Sequence, residues 1–181
     1  MKYLLHGEES DRLRFRSIDK NDYDLWLAFH KDPSSRQYWN SEFESPEIEC
    51  TKWYEKQFYR YENDLGGLNA LVLKETDELI GHCGLIVQTV DDKIELEIGY
   101  SMIPKFWNKG YATEAAKKCK DHAFENHFTE SLISIISIGN LPSQKVATKN
   151  GMKVRNPTVY KTNDVFIFSI NRDEWLLNES K

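Results

Sequence analysis

Residues 102–127 read MIPKFWNKGYATEAAKKCKDHAFENH, and the pattern of this stretch changes at one glycine, Gly110. The segment before it, IELEIGYSMI, alternates strictly between apolar and other residues, which is typical of a β-strand. After Gly110, small and apolar side chains recur at the spacing of one helical face. A strand, a glycine turn and a helix in this order expose backbone N–H groups and the positive end of a helix dipole at one spot. The stretch therefore predicts a site that attracts an anion such as phosphate or pyrophosphate.

The local pattern leaves a second interpretation open. A glycine between a strand and a helix often serves turn geometry alone. The spacing here matches neither a Walker A loop nor a dinucleotide-binding fingerprint. Small residues at Gly110 and Ala112 would nevertheless let a ligand approach the backbone closely.

The alternating strand before the turn has two faces of different chemistry. Side chains two residues apart point to the same side of a strand. One face is apolar and carries Ile94, Leu96, Ile98, Tyr100 and Met102; the other carries Glu95, Glu97, Gly99 and Ser101. The two glutamates are therefore expected to point together.

Upstream of this strand, the pattern predicts alternating strands and helices. DRLRFRSI is predicted as a first strand, and the following helix, capped by Asp19, is expected to bury Leu25, Trp26 and Phe29. SPEIECTKWYEKQFYRY begins with an N-cap serine and a proline suited to the first turn, so it predicts a second helix. NALVLKE and ELIGHCGLIVQ predict a hairpin.

Downstream of the glycine helix, SLISIISI is predicted as a buried strand, NLPSQKVATKNG as a short helix and VFIFSI as a last strand. The 181 residues contain no linker-like stretch, so we expect one domain over residues 1–181. These elements predict an α/β protein of the α+β type.

Composition narrows the possible partners and compartments. A net charge of −5 argues against direct nucleic acid binding by the whole surface. The three cysteines lack a C-x-x-C motif, and no signal peptide or membrane span is indicated, so a soluble cytoplasmic protein is expected. His122 and His127 lie five residues apart, which is not the helical spacing of a two-histidine zinc site, and no metal is expected.

Two segments together resemble a known family. EIGYSMIPKFWNKGYATEAA, followed by IGNLPSQKVATKNGM, closely resembles the coenzyme A segments of the GNAT superfamily of N-acetyltransferases. The opening, DRLRFRSIDKNDYDLWLAFHKDPSSRQYW, is similar to the start of its ribosomal-protein-alanine N-acetyltransferase branch. The resemblance implies a mixed, mostly antiparallel sheet of about six to seven strands flanked by helices. It also implies acetyl-CoA as cofactor, with coenzyme A as product, and a splayed cofactor gap between two central strands.

The resemblance also implies which residues hold the cofactor. The glycine turn would bind the pyrophosphate through Trp107, Asn108, Lys109, Gly110, Tyr111, Ala112 and Thr113. Asn108 stands where the family commonly has glycine. Pantetheine would pair with the backbone at Tyr100 and Met102, and Asn140 would contact the cofactor arm. Asn140 also suits the N-cap of the helix that follows it, and both roles are compatible.

Acyl transfer needs a proton acceptor for the amine, donors for the oxyanion and a proton for the departing thiolate. Glu97 is the candidate base, acting through water, and Glu95 is the second choice. A solvated carboxylate or a structural ion pair is the alternative for Glu97. The tyrosine that serves as acid in many relatives is replaced by Ala147, so Ser143 is the candidate acid, with helix capping as its alternative. The oxyanion is expected on backbone N–H near Met102.

The acceptor is expected to be a primary amine. The resemblance favours a peptide N-terminus of the ribosomal-protein type, with Tyr38 and Trp39 as acceptor-wall candidates and Glu95 as a substrate-binding residue. A small amine such as a polyamine or aminoglycoside would suit the acidic residues Asp91, Asp92, Glu95 and Glu97 equally well. A non-catalytic acyl-CoA-binding module is the remaining alternative. No membrane partner is expected, and both a monomer and a homodimer fit the sequence.

Overall fold

The computed structural model describes residues 2–40 and 42–179. The strands are β1 Leu13–Arg16, β2 Gly66–Leu73, β3 Leu79–Val90, β4 Lys93–Met102, β5 Ser131–Ser137, β6 Lys153–Tyr160 and β7 Asn163–Asn171. The helices are α1 Tyr23–Lys31, α2 Pro46–Glu62, α3 Tyr111–Glu125, α4 Leu141–Lys149 and α5 Arg172–Glu179. The strands form one seven-stranded sheet in the order β1-β2-β3-β4-β5-β7-β6.

All neighbouring strands pair antiparallel except β4 and β5, which are parallel. The predicted mixed, mostly antiparallel sheet flanked by helices is therefore confirmed. The predicted strands and helices upstream of Gly110 are present, and Ser45 caps α2 by accepting a hydrogen bond from the backbone N–H of Ile48. Among the described residues, no helix is both long and apolar enough to cross a membrane.

The sheet opens between its central strands. β4 and β5 pair only at Leu96–Leu132 and Glu97–Ile133. One position further along, the Ser134 hydroxyl donates to the carbonyl of Ile98 at 2.9 Å, so a side chain takes the place of the backbone pairing. Beyond this bridge β4 keeps its pairing with β3 up to Met102, while no strand among the described residues pairs with its other edge. The predicted gap between two central strands is thus present.

Helices cover both faces of the sheet. On one face, α3 buries Ala115, Ala116, Cys119, Ala123 and Phe124 in the larger core cluster. The small side chains let this helix lie close to β3 and β4. On the other face, α1 and α2 bury Trp26, Cys50 and Tyr54 against Leu68 and Ile86 of the sheet.

A few expected positions and elements differ. Leu25 is exposed because α1 turns its neighbour Trp26 to the core, and Ile94 is 80% exposed beside the exposed β3–β4 turn. The helical period after Gly110 also sets Lys120 on the face of α3 away from its small and apolar residues, yet Lys120 is buried, and its ammonium donates to the carbonyl of Asn150. Strand β6 and helix α5 were not predicted. β6 is an edge strand with a mostly exposed pattern, and it therefore lacks the apolar alternation that identifies a strand.

Candidate active site

A cavity of about 350 Å³ lies at the opening between β4 and β5. One wall is α2, and the opposite side includes β5, the start of α4 and the turn between β6 and β7. The described residues that line it are Trp39, Trp53, Lys56, Gln57, Arg60, Leu68, Ile86, Gln88, Glu97, Ile98, Gly99, Tyr100, Ser101, Ser134, Ile135, Ile136, Asn140, Ser143, Tyr160 and Lys161. The cavity thus brings together the predicted catalytic residues Glu97 and Ser143 with Tyr100, Asn140 and Trp39.

Glu97 lies at the fork where β4 and β5 separate. Its side chain lines the cavity although the residue is 8% exposed. The Gln88 amide donates to one carboxylate oxygen at 2.7 Å, and the backbone N–H of Ile135 also donates to the carboxylate. Burial raises the pKa of Glu97 above the usual range, and these two hydrogen bonds oppose the rise. A carboxylate with a raised pKa is a better proton acceptor than an ordinary glutamate.

Gln88 is itself held in one orientation. The Arg60 guanidinium and the Tyr160 hydroxyl each donate to its amide oxygen at 3.2 Å, which leaves the amide NH₂ facing Glu97. Arg60 also donates to the carbonyl of Val87 at 3.0 Å. Neither Gln88 nor Arg60 was identified from the sequence. The hairpin register, which sets Gln88 opposite Glu95 and two pairs from Glu97, on the same face of the sheet, is the signal that could have revealed Gln88.

The other acidic residues expected near the acceptor lie elsewhere. Glu95 forms an ion pair with Arg155, with 2.7 Å between Arg155 Nη1 and Glu95 Oε1, and it does not line the cavity. Asp91 accepts a hydrogen bond from the Thr158 hydroxyl, and it lies with Asp92 between β3 and β4. The structure therefore brings Glu97 alone of these four carboxylates to the cavity.

The predicted anion turn has the backbone conformation that the glycine suggested. Gly110 has a φ of +83° and is the N-cap of α3, with no side-chain hydrogen bond at the cap. Asn108 has a φ of +60°, a left-handed conformation that asparagine tolerates better than most residues. The N–H groups of the first turn, which begins at Tyr111, therefore have no side chain as acceptor at the cap. The turn has the donors and the dipole orientation that a pyrophosphate requires, so its residues fit the cofactor.

Arg12 is a residue at this turn that sequence reasoning missed. Its guanidinium donates to the carbonyl of Lys109 at 3.0 Å and to Glu114 at 2.6 Å, and it lies over the ring of Tyr111. A Cβ on Gly110 would have Arg12 Nη2 as its nearest neighbour, at 3.4 Å. Arg12 precedes β1 and is distant in sequence from the turn, so no local pattern identifies it.

The strand edge and the first turn of α4 face each other across the gap. The Trp107 indole donates to the carbonyl of Met102 at 2.7 Å, so this carbonyl is already paired. The Tyr100 hydroxyl donates to the carbonyl of Ser143 at 2.9 Å, and burial raises the pKa of this phenol. Asn140 accepts a hydrogen bond from the backbone N–H of Ser143 at 3.1 Å, which confirms its N-cap role. Tyr100 thus connects β4 to α4, the helix that contains Ala147.

The two aromatic residues proposed for the acceptor wall differ in position. Trp39 lines the cavity and is 39% exposed, whereas Tyr38 lies outside it, near Gly139. The neighbouring Asn40 is anchored to the end of the sheet, because its backbone N–H donates to the side-chain oxygen of Asn163 at 2.6 Å. This anchor holds Asn40, and with it the adjacent Trp39, beside the cavity.

Comparison with known proteins identifies the class. The model of the family described as Acetyltransferase (GNAT) domain matches residues 12–153, and the chain belongs to this family. The predicted GNAT membership is confirmed, and with it the assignment as an acyltransferase. Proteins of this family use acetyl-CoA.

Relatives and solved structures agree with this assignment. The chain is 29% identical to the uncharacterized protein YkkB of Bacillus subtilis, over 79% of this chain and 83% of the relative. It is 28% identical to the uncharacterized N-acetyltransferase p20 of Bacillus licheniformis, over 92% and 96%. An acetyltransferase structure from Agrobacterium tumefaciens matches with a TM-score of 0.75, at 22% identity over 91% of this chain and 93% of that chain.

Two further structural matches are named for different acceptors. Spermidine N-acetyltransferase from Vibrio cholerae, in complex with CoA and spermine, has a TM-score of 0.71 at 17% identity over 91% of this chain and 98% of that chain. RimL, a ribosomal L7/L12 alpha-N-protein acetyltransferase in complex with coenzyme A, has a TM-score of 0.71 at 14% identity over 93% and 98%. At these identities the matches support the fold and leave the acceptor of this chain open.

Proposed function

We propose that the protein transfers the acetyl group of acetyl-CoA directly to a primary amine, with Glu97 as the general base. The observation that carries the proposal is the Glu97 carboxylate, which lies at the fork between β4 and β5 and lines the cavity. Burial raises its pKa, and the Gln88 amide fixes its orientation. Alkyl amines are mostly protonated at neutral pH, so the acceptor needs such a proton acceptor before it attacks.

The proposed roles of the chain's residues follow from their positions. The turn from Trp107 to Thr113 binds the pyrophosphate through backbone N–H groups, and the free edge of β4 binds pantetheine. Acetyl-CoA supplies the thioester carbon, to which the amine nitrogen adds; the carbon–sulfur bond then breaks as the amide forms. Glu97 accepts the amine proton directly or through water. Backbone N–H near Met102 stabilises the oxyanion, and Ser143 gives a proton to the leaving sulfur.

The first candidate acceptor is a peptide N-terminus, and a small amine is the second. The opening residues resemble the ribosomal-protein-alanine branch, and RimL is among the structural neighbours, which supports the first. Spermidine N-acetyltransferase is also a neighbour, which supports the second. The three cysteines are unpaired and buried, so we propose the cytoplasm as the compartment.

Coenzyme A release from acetyl-CoA over a panel of peptides, polyamines and aminoglycosides tests the proposal. We expect release that depends on at least one amine and falls in Glu97→Gln. Glu95→Gln is the matched control, because Glu95 lies two residues away on the same strand but outside the cavity. If the protein binds coenzyme A but acetylates no amine of the panel, the result would instead indicate a non-catalytic acyl-CoA-binding module.

A further inference from the structure

The charges that line the cavity are unevenly distributed. Lys56 and Arg60 from α2 and Lys161 from the β6–β7 turn are cationic. Among the described residues of the lining, Glu97 is the one carboxylate. The cavity therefore carries an excess of positive charge, although the chain as a whole is acidic with a net charge of −5.

The two lysines differ from Arg60 in what they contact. Arg60 is buried and uses its guanidinium on the carbonyls of Leu65 and Val87 and on the Gln88 amide oxygen. In the described part of the chain, neither Lys56 nor Lys161 has a carboxylate within ion-pair distance. The Lys161 ammonium lies over the Tyr160 ring, 5.2 Å from its centroid, and both lysines keep N–H donors for a ligand.

The lysines are also close enough to repel each other. Burial, together with the charges of Lys161 and then Arg60, lowers the pKa of Lys56 to about 8, and the charge of Glu97 opposes this lowering. The charged groups facing Lys56 are thus Lys161, Arg60 and Glu97. Placing two ammonium groups together is unfavourable unless an anion lies between them.

Building on the proposed function, we propose that the acceptor amine carries a carboxylate, which Lys56 and Lys161 bind while Glu97 receives the amine. A carboxylate offers two acceptor oxygens, one for each ammonium group. The acidic side chain of a peptide's second residue and the carboxylates of a free amino acid share this chemistry. A polyamine would instead place additional positive charge beside Lys56, Arg60 and Lys161, which disfavours it.

The first experiment compares acceptors that differ in charge alone. We expect kcat/KM for the peptide Ala-Glu-Ala-Ala to exceed that for Ala-Gln-Ala-Ala by about tenfold, and Ala-Lys-Ala-Ala to be poorer than both. Free alanine compared with alaninamide, which lacks the carboxylate, separates the amino acid source from the peptide source. The preference should shrink as salt is added, because part of the site is open to solvent.

The second experiment tests whether substitution of the two lysines changes the preference for the acidic peptide. In the double variant Lys56→Glu/Lys161→Glu, the ratio between the Glu and Gln peptides should fall to one or below, with the change mainly in KM. Lys149→Glu, an exposed α4 residue outside the cavity, is the control for the charge change and should keep the wild-type ratio. An unchanged ratio in the double variant would overturn the inference, as would a loss of coenzyme A affinity with the acceptor KM unaffected.

A binding measurement separates this inference from the proposed function. Calorimetry with Ala-Glu-Ala-Ala and Ala-Gln-Ala-Ala on the protein saturated with coenzyme A needs no turnover. Amine acetylation without a charge preference would remove the carboxylate site and leave the transferase proposal intact. Charge-dependent peptide binding with no acetylation would keep the carboxylate site and remove the catalytic proposal. If the protein shows neither a charge preference in binding nor turnover, both proposals are wrong.

Discussion

The proposed cofactor turn, called the cofactor side below, and the proposed acceptor cavity, called the acceptor side, are built in different ways. The turn and the helix α3 that follows it come from one continuous stretch, residues 102–125, and the groups that the turn offers to a ligand are mainly backbone N–H groups. The acceptor side combines Trp39, α2, the end of β3, the middle of β4 and the β6–β7 turn, and its candidate functional groups are side chains. A continuous backbone site can be recognised from sequence spacing, whereas a site assembled from distant side chains becomes visible only in the fold.

The same difference predicts how each side responds to substitution. A backbone donor persists when its side chain is changed, so the cofactor turn is damaged chiefly by substitutions that alter its conformation or introduce a competing charge. On the acceptor side, each proposed role belongs to a single side chain. Even a conservative replacement of that side chain should therefore remove the role. Substitutions on each side test this contrast between backbone and side-chain sites.

The largest effect is expected for Gly110→Glu, which should abolish measurable coenzyme A binding in calorimetry. The new carboxylate would stand at the start of α3, where it would repel the pyrophosphate and compete for the same N–H groups. Gly110→Ala is the matched control. A Cβ fits beside Arg12, so alanine adds only the strain of the left-handed backbone, about 1–2 kcal/mol. Equal affinity in a folded Gly110→Glu variant would contradict a pyrophosphate site at this turn.

On the acceptor side, Glu97→Gln should lower kcat/KM by about a hundredfold at neutral pH, within the usual range for a general base. Coenzyme A affinity should stay unchanged, because the amide keeps the size of the carboxylate. Wild-type activity should be lost as the pH falls through the pKa of Glu97, which burial raises above the usual value. Glu97→Gln lacks this ionisation and should recover part of its rate at high pH, where free amine is abundant. A variant that follows wild type at every pH would exclude Glu97 as the base.

Stability gives an independent check of Glu97. A carboxyl whose pKa is raised by folding stabilises the protein fully below its unfolded pKa, and this contribution is lost as the pH rises through the folded pKa. Glu97→Gln should therefore melt at a higher temperature relative to wild type at pH 7 than at pH 4. A stability difference independent of pH would indicate that the native carboxyl titrates as an ordinary surface group.

Ser143→Ala should have a smaller effect, lowering kcat by about tenfold with little change in coenzyme A affinity. The cap of α4 is made by Asn140, which accepts from the Ser143 backbone N–H, so the substitution leaves the helix start intact. Tyr100→Phe is an informative comparison, because this phenol also lies at the first turn of α4. Wild-type turnover in Ser143→Ala, with a deficit in Tyr100→Phe, would transfer the acid role to Tyr100.

The contrast also explains how much could be predicted from the sequence. The alternation before Gly110 and the helical period after it placed β4, the turn and α3 correctly, because each pattern reflects local geometry. The face of Glu97 also followed from alternation, but the separation of Glu95 from the cavity did not, since it depends on an ion pair with Arg155, sixty positions away. Arg155 lies on β6, the edge strand whose exposed pattern hid it from prediction.

One residue of the cofactor side, Arg12, comes from a distant part of the sequence. Its substitution has the smallest of the predicted effects. Arg12, the residue before β1, donates hydrogen bonds to the Lys109 carbonyl and the Glu114 carboxylate. It therefore contacts the turn although it lies 97 positions from Lys109 in sequence. Its side chain is 46% exposed, and an ion pair of this exposure contributes at most about 1 kcal/mol.

Arg12→Met should therefore weaken coenzyme A binding by about fivefold in calorimetry and leave the acceptor KM unchanged. Arg14→Met is a close control, because Arg14 is also 46% exposed and pairs with Asp77, away from the turn. If both variants bind coenzyme A like wild type, the turn holds its conformation through residues 107–113 alone, and the cofactor side is as local as its sequence pattern indicates. A deficit confined to Arg12→Met would mean that even a backbone site depends on a distant side chain, because the left-handed residues Asn108 and Gly110 need an external contact to stay in place.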